Sequence, residues 1–128
     1  MKILIYGVGG IGGFLGSKLF DKSIELTFLA RGNRFEFLKK NGLVVKTGKG
    51  NSFIKKINVV NFIDPSWKFD FIFSTVKLYD FDDSLNEILL LKNKDFLFIP
   101  FQNGIYAEKK ASDILGKEKV CAGVAQIS

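Results

Sequence analysis

The feature that most constrains this chain is a glycine-rich turn between an apolar run and a helical pattern near its beginning. Residues 2–6 contain the run Ile-Leu-Ile, which is typical of a parallel strand buried on both faces. Gly7, Gly9 and Gly12 follow with the spacing G-x-G-x-x-G, and apolar residues then recur at helical spacing. A strand, a glycine turn and a helix in this order form the context that the dinucleotide-binding fingerprint requires.

Each glycine of this fingerprint has a physical reason. Gly7 permits the tight turn, Gly9 lets the backbone approach a pyrophosphate, and Gly12 lets the helix pack close to the strand. The N-terminus of the helix then offers unpaired N–H groups and the positive end of its dipole to the phosphates. The predicted cofactor-binding residues of the loop are Gly7, Val8, Gly9, Gly10, Ile11 and Gly12.

The length and composition predict a single packed domain over residues 1–128. No stretch approaches the roughly 20 apolar residues that a membrane span needs, and the beginning of the chain does not have the pattern of a signal peptide. The single cysteine, Cys121, cannot form an internal disulfide and lies in an apolar run that predicts burial. These features favour a cytoplasmic protein without a membrane partner.

The net charge of +6 raises nucleic-acid binding as a hypothesis. The lysines, however, lie in scattered pairs such as 39–40 and 109–110, with acidic residues between them, rather than in one stripe. We therefore predict a solvated basic surface and no nucleic-acid partner. Because histidine is absent and there is one cysteine, no metal site is predicted either.

The tip of the second predicted strand, over residues 24–30, bears on which dinucleotide is favoured. A site for NAD usually has an acidic residue there, about 20 residues beyond the glycines, to accept the ribose hydroxyls. This chain has Arg31 instead, and Glu25 opens the strand at the opposite end of the sheet. A guanidinium can hold a 2′-phosphate with a planar, bidentate fork. The sequence therefore favours NADP(H), with Arg31 as the contact. An exposed loop position is the plainer alternative for Arg31 and an equal alternative for Arg34.

The remaining pattern predicts an α/β fold of the Rossmann type, a doubly wound, mostly parallel sheet with helices on both faces. A β-hairpin is expected as an addition near residues 43–60, with strands over 43–47 and 52–60 around a turn at 48–51. The other predicted elements are a first helix to about residue 22, a helix over 33–40 capped by Asn33, strands over 70–76, 95–100 and 120–124, a helix ending at 91 and a helix over 105–115.

Two of the predicted strands deliver polar side chains to the carboxyl edge of the sheet, where open α/β folds bind ligands. Lys77 follows the strand over 70–76, and Gln102-Asn103-Gly104 follows the strand over 95–100. For each there is a plainer alternative, namely that Lys77 is an exposed lysine and that Asn103 caps the following helix.

Taken together, the separated segments resemble the N-terminal, cofactor-binding domain of the ketopantoate reductase (2-dehydropantoate 2-reductase) family. These segments are the glycine loop over 7–12, Ser74-Thr75-Val76-Lys77 and Gln102-Asn103-Gly104, and Arg31 resembles that family's NADP-selecting position. The resemblance implies an oxidoreductase that reduces ketopantoate to pantoate with NADPH, a step of pantothenate biosynthesis. It also implies that Lys77 and Asn103 act in catalysis by positioning the cofactor and substrate at the mouth of the cleft.

The resemblance extends over the whole chain but only over part of the family's pattern. Family members continue into a helical C-terminal domain that carries a lysine acting as general acid and an acidic residue that binds the substrate. Neither residue can be assigned in this sequence. We therefore expect the chain to bind NADP(H) but to be inactive alone, with that C-terminal domain as its intramolecular partner and a small keto acid as substrate.

Two other functions stay open at this point. A nucleotide-sensing regulatory Rossmann domain, of the kind that gates potassium transport, has a similar length, although such domains usually have an acidic residue where this chain has Arg31. A reductase of another 2-keto acid would share the fold and the glycine loop.

Overall fold

A computed structural model of the chain describes residues 1–47, 50–54 and 56–123. The strands are β1 (Lys2–Tyr6), β2 (Glu25–Leu29), β3 (Leu43–Thr47), β4 (Gly50–Ile54), β5 (Asn58–Val60), β6 (Phe71–Ser74) and β7 (Leu97–Pro100). The helices are α1 (Gly10–Leu19), α2 (Gly32–Asn41), α3 (Phe81–Ile88) and α4 (Tyr106–Leu115), with short 3-10 helices at Leu78–Asp80 and Lys117–Lys119.

Five of the described strands form a parallel sheet in the order β5-β2-β1-β6-β7. Tyr6 at the end of β1 is level with Leu29 of β2 and with Ser74 of β6, and Ser74 is level with Pro100 of β7. The segments after these residues therefore leave the sheet at one edge. The chain moves outward from β1 to β2 and β5, then returns to the other side of β1 as β6. The prediction of a Rossmann-type parallel sheet is confirmed.

Both faces of the sheet are covered, which explains the unbroken apolar character of β1. Because consecutive side chains of a strand alternate between faces, Ile3 and Ile5 pack in one core with α1, α2 and β3. Leu4 and Tyr6 pack in the other core, with α3 and α4. The two cores hold the central strand rigidly, and with it the turn that begins at Gly7.

The added hairpin is shorter than predicted. β3 and β4 pair in antiparallel fashion from Leu43 opposite Ile54 to Thr47 opposite Gly50, while residues 48 and 49 of the predicted turn lie outside the described residues. The single strand predicted over 52–60 is wrong, because its two halves belong to different sheets. The second half is β5, which runs parallel to β2 and extends the main sheet.

The start of α2 also differs from the prediction. The helix begins at Gly32 directly after Arg31, so Asn33 lies inside the first turn and is not its cap. Gly32 has a φ of +58°, a left-handed conformation that glycine adopts without strain and that turns the chain straight from β2 into the helix. The other predicted helix and strand ends lie within three residues of those in the structure, and both ends of β3 coincide with the prediction.

The strand predicted over 120–124 is reduced to an isolated bridge between Val120 and Phe98 of β7, and residue 124 lies outside the described residues. The prediction that Cys121 is buried is wrong, since this side chain is exposed. Its backbone N–H donates to the carbonyl of Phe98 on the edge strand β7, so the segment runs along the outer side of the sheet.

No helix within the described residues is long and apolar enough to cross a membrane. The same residues contain no group of three or more histidine, cysteine, aspartate or glutamate side chains that could hold a metal ion.

Candidate functional site

A cavity of about 640 Å³ opens at the carboxyl edge of the sheet, where the strand order reverses between β1 and β6. Ligands of open α/β folds bind in the crevice at such a switch point. The glycine turn, the tip of β2 and the segment after β6 form three sides of the cavity, and α3 forms the fourth. Its lining residues are Tyr6, Gly7, Val8, Gly9, Leu29, Ala30, Arg31, Arg34, Thr75, Val76, Lys77, Asp80, Asp83, Ser84 and Glu87.

Packing alone requires two of the loop glycines. Gly7 has a φ of +100°, and a Cβ there would lie 2.8 Å from the backbone nitrogen of Val76. A Cβ on Gly12 would lie 2.0 Å from the carbonyl oxygen of Gly7, so no side chain fits between α1 and the turn. These two glycines therefore shape the loop but do not by themselves indicate a ligand.

Gly9 and Gly10 have no such packing reason. A Cβ on either residue would meet nothing within 4 Å, and Gly9 lines the cavity. α1 begins at Gly10, and no side chain caps the helix with a hydrogen bond. The loop thus presents bare backbone and a helix N-terminus to open space, which fits an anionic group that approaches the backbone closely.

The two arginines predicted near the tip of β2 both line the cavity but make different contacts. Arg34 donates from Nε to the carbonyl oxygen of Val8, at 2.7 Å, and so braces the glycine loop. Arg31 donates from Nη2 to the carboxylate of Glu87 on α3 and, at 3.2 Å, to the hydroxyl of Tyr6. Burial raises the pKa of the Tyr6 phenol, and the Arg31 guanidinium opposes that rise.

Glu87 and Tyr6 are site residues that the sequence reasoning missed. Glu87 lies in the last turn of α3, where the negative end of the helix dipole disfavours an acidic side chain. An acidic residue at this end of a predicted helix indicates that a cationic side chain compensates it, but the sequence does not identify that side chain. The sequence pattern places Tyr6 at the end of a buried strand, and its hydroxyl gives no local signal of an arginine partner.

The segment after β6 is tied to the glycine turn. The hydroxyl of Thr75 donates to the carbonyl oxygens of Gly7 and Tyr6, so the ends of β1 and β6 are held together. Lys77, two residues on, is exposed and lines the cavity. Its carbonyl oxygen accepts from the N–H of Asp80, which fixes the backbone at this point.

Gln102 joins the ends of β6 and β7. Its Nε2 donates to the backbone oxygens of Ser74 and Val76, at 3.2 and 2.9 Å, and to the Ser74 hydroxyl at 3.0 Å. Its Oε1 is buried and has no donor among the described residues. Sequence reasoning identified the Gln-Asn-Gly segment but not this role of Gln102 in holding the backbone before Lys77.

Asn103 is exposed and lines a second cavity of about 290 Å³ on the same edge of the sheet. The structure therefore places Lys77 and Asn103 at one edge but in the walls of two different cavities. The alternative role of Asn103 as a helix cap is not seen, since α4 begins after Ile105 and has no side-chain cap.

The parallel sheet, the glycine turn and the crevice at the switch point define a Rossmann-type domain. The chain belongs to the ketopantoate reductase PanE/ApbA family, whose model matches residues 3–128. The resemblance read from the glycine loop, Lys77 and the Gln-Asn-Gly segment is thereby confirmed.

Two curated relatives show the extent of the match. YkpB of Bacillus subtilis, an uncharacterized oxidoreductase, is 33% identical over 128 residues, which are 99% of this chain and 41% of that protein. A 2-dehydropantoate 2-reductase of Pyrococcus horikoshii is 32% identical over 91% of this chain and 38% of its own length. The chain thus spans about two fifths of the length of these relatives.

Solved structures agree with the fold. The 2-dehydropantoate 2-reductase of Porphyromonas gingivalis matches with a TM-score of 0.83 and 26% identity, over 100% of this chain and 47% of that one. A D-mandelate dehydrogenase, solved with NADH and anilino(oxo)acetate, matches with a TM-score of 0.85 and 23% identity, over 97% of this chain and 40% of that one. The family match favours an oxidoreductase over the nucleotide-sensing alternative.

Proposed function

We propose that this chain is the nicotinamide-dinucleotide-binding part of a ketopantoate reductase-like oxidoreductase. The observation that carries the proposal is the cavity at the switch point, where the bare backbone of Gly9 and the arginine side chains face one space. Backbone N–H groups at a helix N-terminus and guanidinium groups are the donors that pyrophosphate and phosphate prefer. The NADH in the D-mandelate dehydrogenase structure supports a nicotinamide cofactor for this fold.

The residues present fit such a cofactor in specific ways. The loop over 7–12 would hold the pyrophosphate, and Arg31 would bind a 2′-phosphate, which favours NADP(H). Arg34 would act through the loop, because its Nε is already bonded to the Val8 carbonyl. Lys77 and Asn103, at the carboxyl edge beyond β6 and β7, would orient the nicotinamide end and the keto acid.

In the whole protein, the bound cofactor would supply a hydride, and this domain would supply placement and charge. Lys77 can place a positive charge beside a developing alkoxide, and the amide of Asn103 can donate a hydrogen bond to it. We infer ketopantoate as the substrate from the named reductases among the relatives, and another 2-keto acid is the alternative.

The rest of the protein is proposed to close the cleft. Tyr79 is 84% exposed and Ile105 is 77% exposed, and both follow strands that end at the carboxyl edge. Large apolar side chains at this edge suit burial against the part of the protein by which the relatives exceed this chain. The expected partner is the family's helical C-terminal domain, which would supply the general acid.

Titration of the 128-residue chain with NADPH and NADH tests the binding proposal directly. For the reaction, this chain joined to the C-terminal domain of a family member would be assayed for NADPH oxidation at 340 nm with ketopantoate and with other 2-keto acids. Oxidation that is fastest with ketopantoate supports the substrate assignment. A faster reaction with another 2-keto acid would retain the oxidoreductase and replace the substrate.

A further inference from the structure

Glu87 is placed where local folding rules do not favour a carboxylate. It lies in the last turn of α3, which has no basic residue, at the end of the helix that repels negative charge. Its side chain is only 20% exposed, and Oε1 is buried without a hydrogen-bond donor among the described residues. A carboxylate withdrawn from water in this way needs a compensating partner. Residues that break a local rule are often found at functional sites.

The partner of Glu87 is the arginine that is proposed to contact the cofactor. The carboxylate accepts from Nη2 of Arg31, and the same nitrogen donates to the hydroxyl of Tyr6. A guanidinium carries five N–H donors, of which Nη2 supplies two. The N–H groups of Nε and Nη1 make no hydrogen bond to the described residues, so Arg31 can hold Glu87 and a ligand oxygen at the same time.

The charges in the cavity wall are balanced at neutral pH. Arg31, Arg34 and Lys77 contribute three positive charges, and Asp80, Asp83 and Glu87 contribute three negative ones. A 2′-phosphate would bring about two further negative charges, whereas the ribose hydroxyl of NADH brings none. Glu87 is the acid bonded to the guanidinium that would have to neutralise that phosphate.

We propose that Glu87 is a specificity-determining residue of the cofactor site, which limits the preference for NADPH over NADH by offsetting the charge of Arg31. This inference rests on the proposed function and deepens it. Sites for NAD usually have an acidic residue at the tip of β2, where this chain has Arg31. Here Glu87 of α3 places an acidic side chain beside that position. Arg31 attracts the 2′-phosphate of NADPH, and the negative charge of Glu87 repels it. The site then binds both dinucleotides, with a smaller difference between their affinities than Arg31 alone would give.

The test uses the 128-residue chain and the variant Glu87→Gln, which keeps the size of the side chain and removes its charge. Fluorescence titration gives the Kd for NADPH and for NADH. We expect the Kd ratio, NADH over NADPH, to rise on the order of tenfold in Glu87→Gln, since one unit charge near the phosphate is removed. Asp83→Asn is the matched control, because Asp83 lies in the same wall but is not paired with Arg31. Its ratio should change by less than about threefold.

Each outcome is distinct. A ratio unchanged in Glu87→Gln, with both dinucleotides still bound, overturns the inference and leaves the proposed function intact. An equal rise in Asp83→Asn also overturns it, because the general field of the cavity would then be the cause. If the unaltered chain binds neither dinucleotide, the proposed function fails first. If the ion pair between Arg31 and Glu87 is purely structural, Glu87→Gln will lower the melting temperature of the chain without changing the Kd ratio.

If Glu87→Gln does not fold, Glu87→Asp serves as the second variant. Its shorter side chain draws the carboxylate back from Arg31, and we expect it to raise the Kd ratio by a smaller factor.

Discussion

Gly12 approaches Gly7 so closely that a Cβ on Gly12 would lie 2.0 Å from the carbonyl oxygen of Gly7. This contact joins the first turn of α1 to the end of β1 and sets the shape of the glycine loop. Gly9, between them in sequence, faces open space instead. The same motif therefore contains glycines needed for packing and a glycine left free for a ligand, and substitutions can separate the two roles.

Gly12→Ala should destabilise the fold. The added methyl group would have to displace backbone, and overpacking of this kind costs about 1–3 kcal/mol. The free energy of unfolding, measured with urea, should fall by that amount. Gly9→Ala is the control, and it should change the free energy of unfolding by less than about 0.5 kcal/mol. Equal losses in the two variants would contradict the packing assigned to Gly12.

Arg31→Ala should remove the preference for NADPH. A charge-assisted hydrogen bond to the 2′-phosphate contributes about 1.5–3 kcal/mol, so the Kd for NADPH should rise by roughly 10- to 100-fold while that for NADH changes little. The comparison is a pair of fluorescence titrations. Lys40→Ala, which removes an exposed positive charge from α2 outside the cavity, should leave both affinities near their starting values. A preference retained in Arg31→Ala would show that another group reads the phosphate.

Gln102→Leu should loosen the carboxyl edge, because three hydrogen bonds from its Nε2 to Ser74 and Val76 are lost. The Ser74 carbonyl oxygen keeps the N–H of Phe101 as a donor, whereas the Val76 carbonyl oxygen has no other donor among the described residues. Leaving that oxygen without a donor costs about 1–3 kcal/mol in the free energy of unfolding. Asn103→Ala removes the neighbouring exposed amide and should leave stability within about 0.5 kcal/mol. Were Asn103→Ala the more destabilising change, the structural role would belong to Asn103 and not to Gln102.

The fold could be predicted because its determinants are local. Each of its signals is contained in a few consecutive residues. These signals are the apolar run before Gly7, the glycine spacing, and the polar residues after β6 and β7. The sequence does not show that β4 and β5 are two separate strands. An antiparallel hairpin strand and an edge strand of a parallel sheet have the same alternating pattern of apolar and polar residues. The pairing of Arg31 with Glu87 was missed for a different reason. The two residues are 56 positions apart, and only the tertiary fold brings them together.

The 128-residue chain should bind cofactor without turning over substrate at a substantial rate. Hydride transfer to a ketone leaves an alkoxide that needs a proton donor within hydrogen-bond reach, and such a donor contributes typically 10²–10⁴-fold in rate. The sequence has no histidine, and Lys77 is the lysine that lines the main cavity. NADPH oxidation with ketopantoate, followed at 340 nm, should stay near the background without protein. Turnover comparable to that of a longer relative would assign the acid's role to Lys77.

The central claim is that the glycine loop holds a dinucleotide, and direct titration with NADPH tests it most closely. The fluorescence of NADPH should change saturably on addition of the 128-residue chain. Gly9→Val, whose added side chain would occupy the open space beside the loop, should abolish that change while circular dichroism shows an unaltered fold. No saturable change with the unaltered chain, or unimpaired binding by Gly9→Val, would contradict the claim.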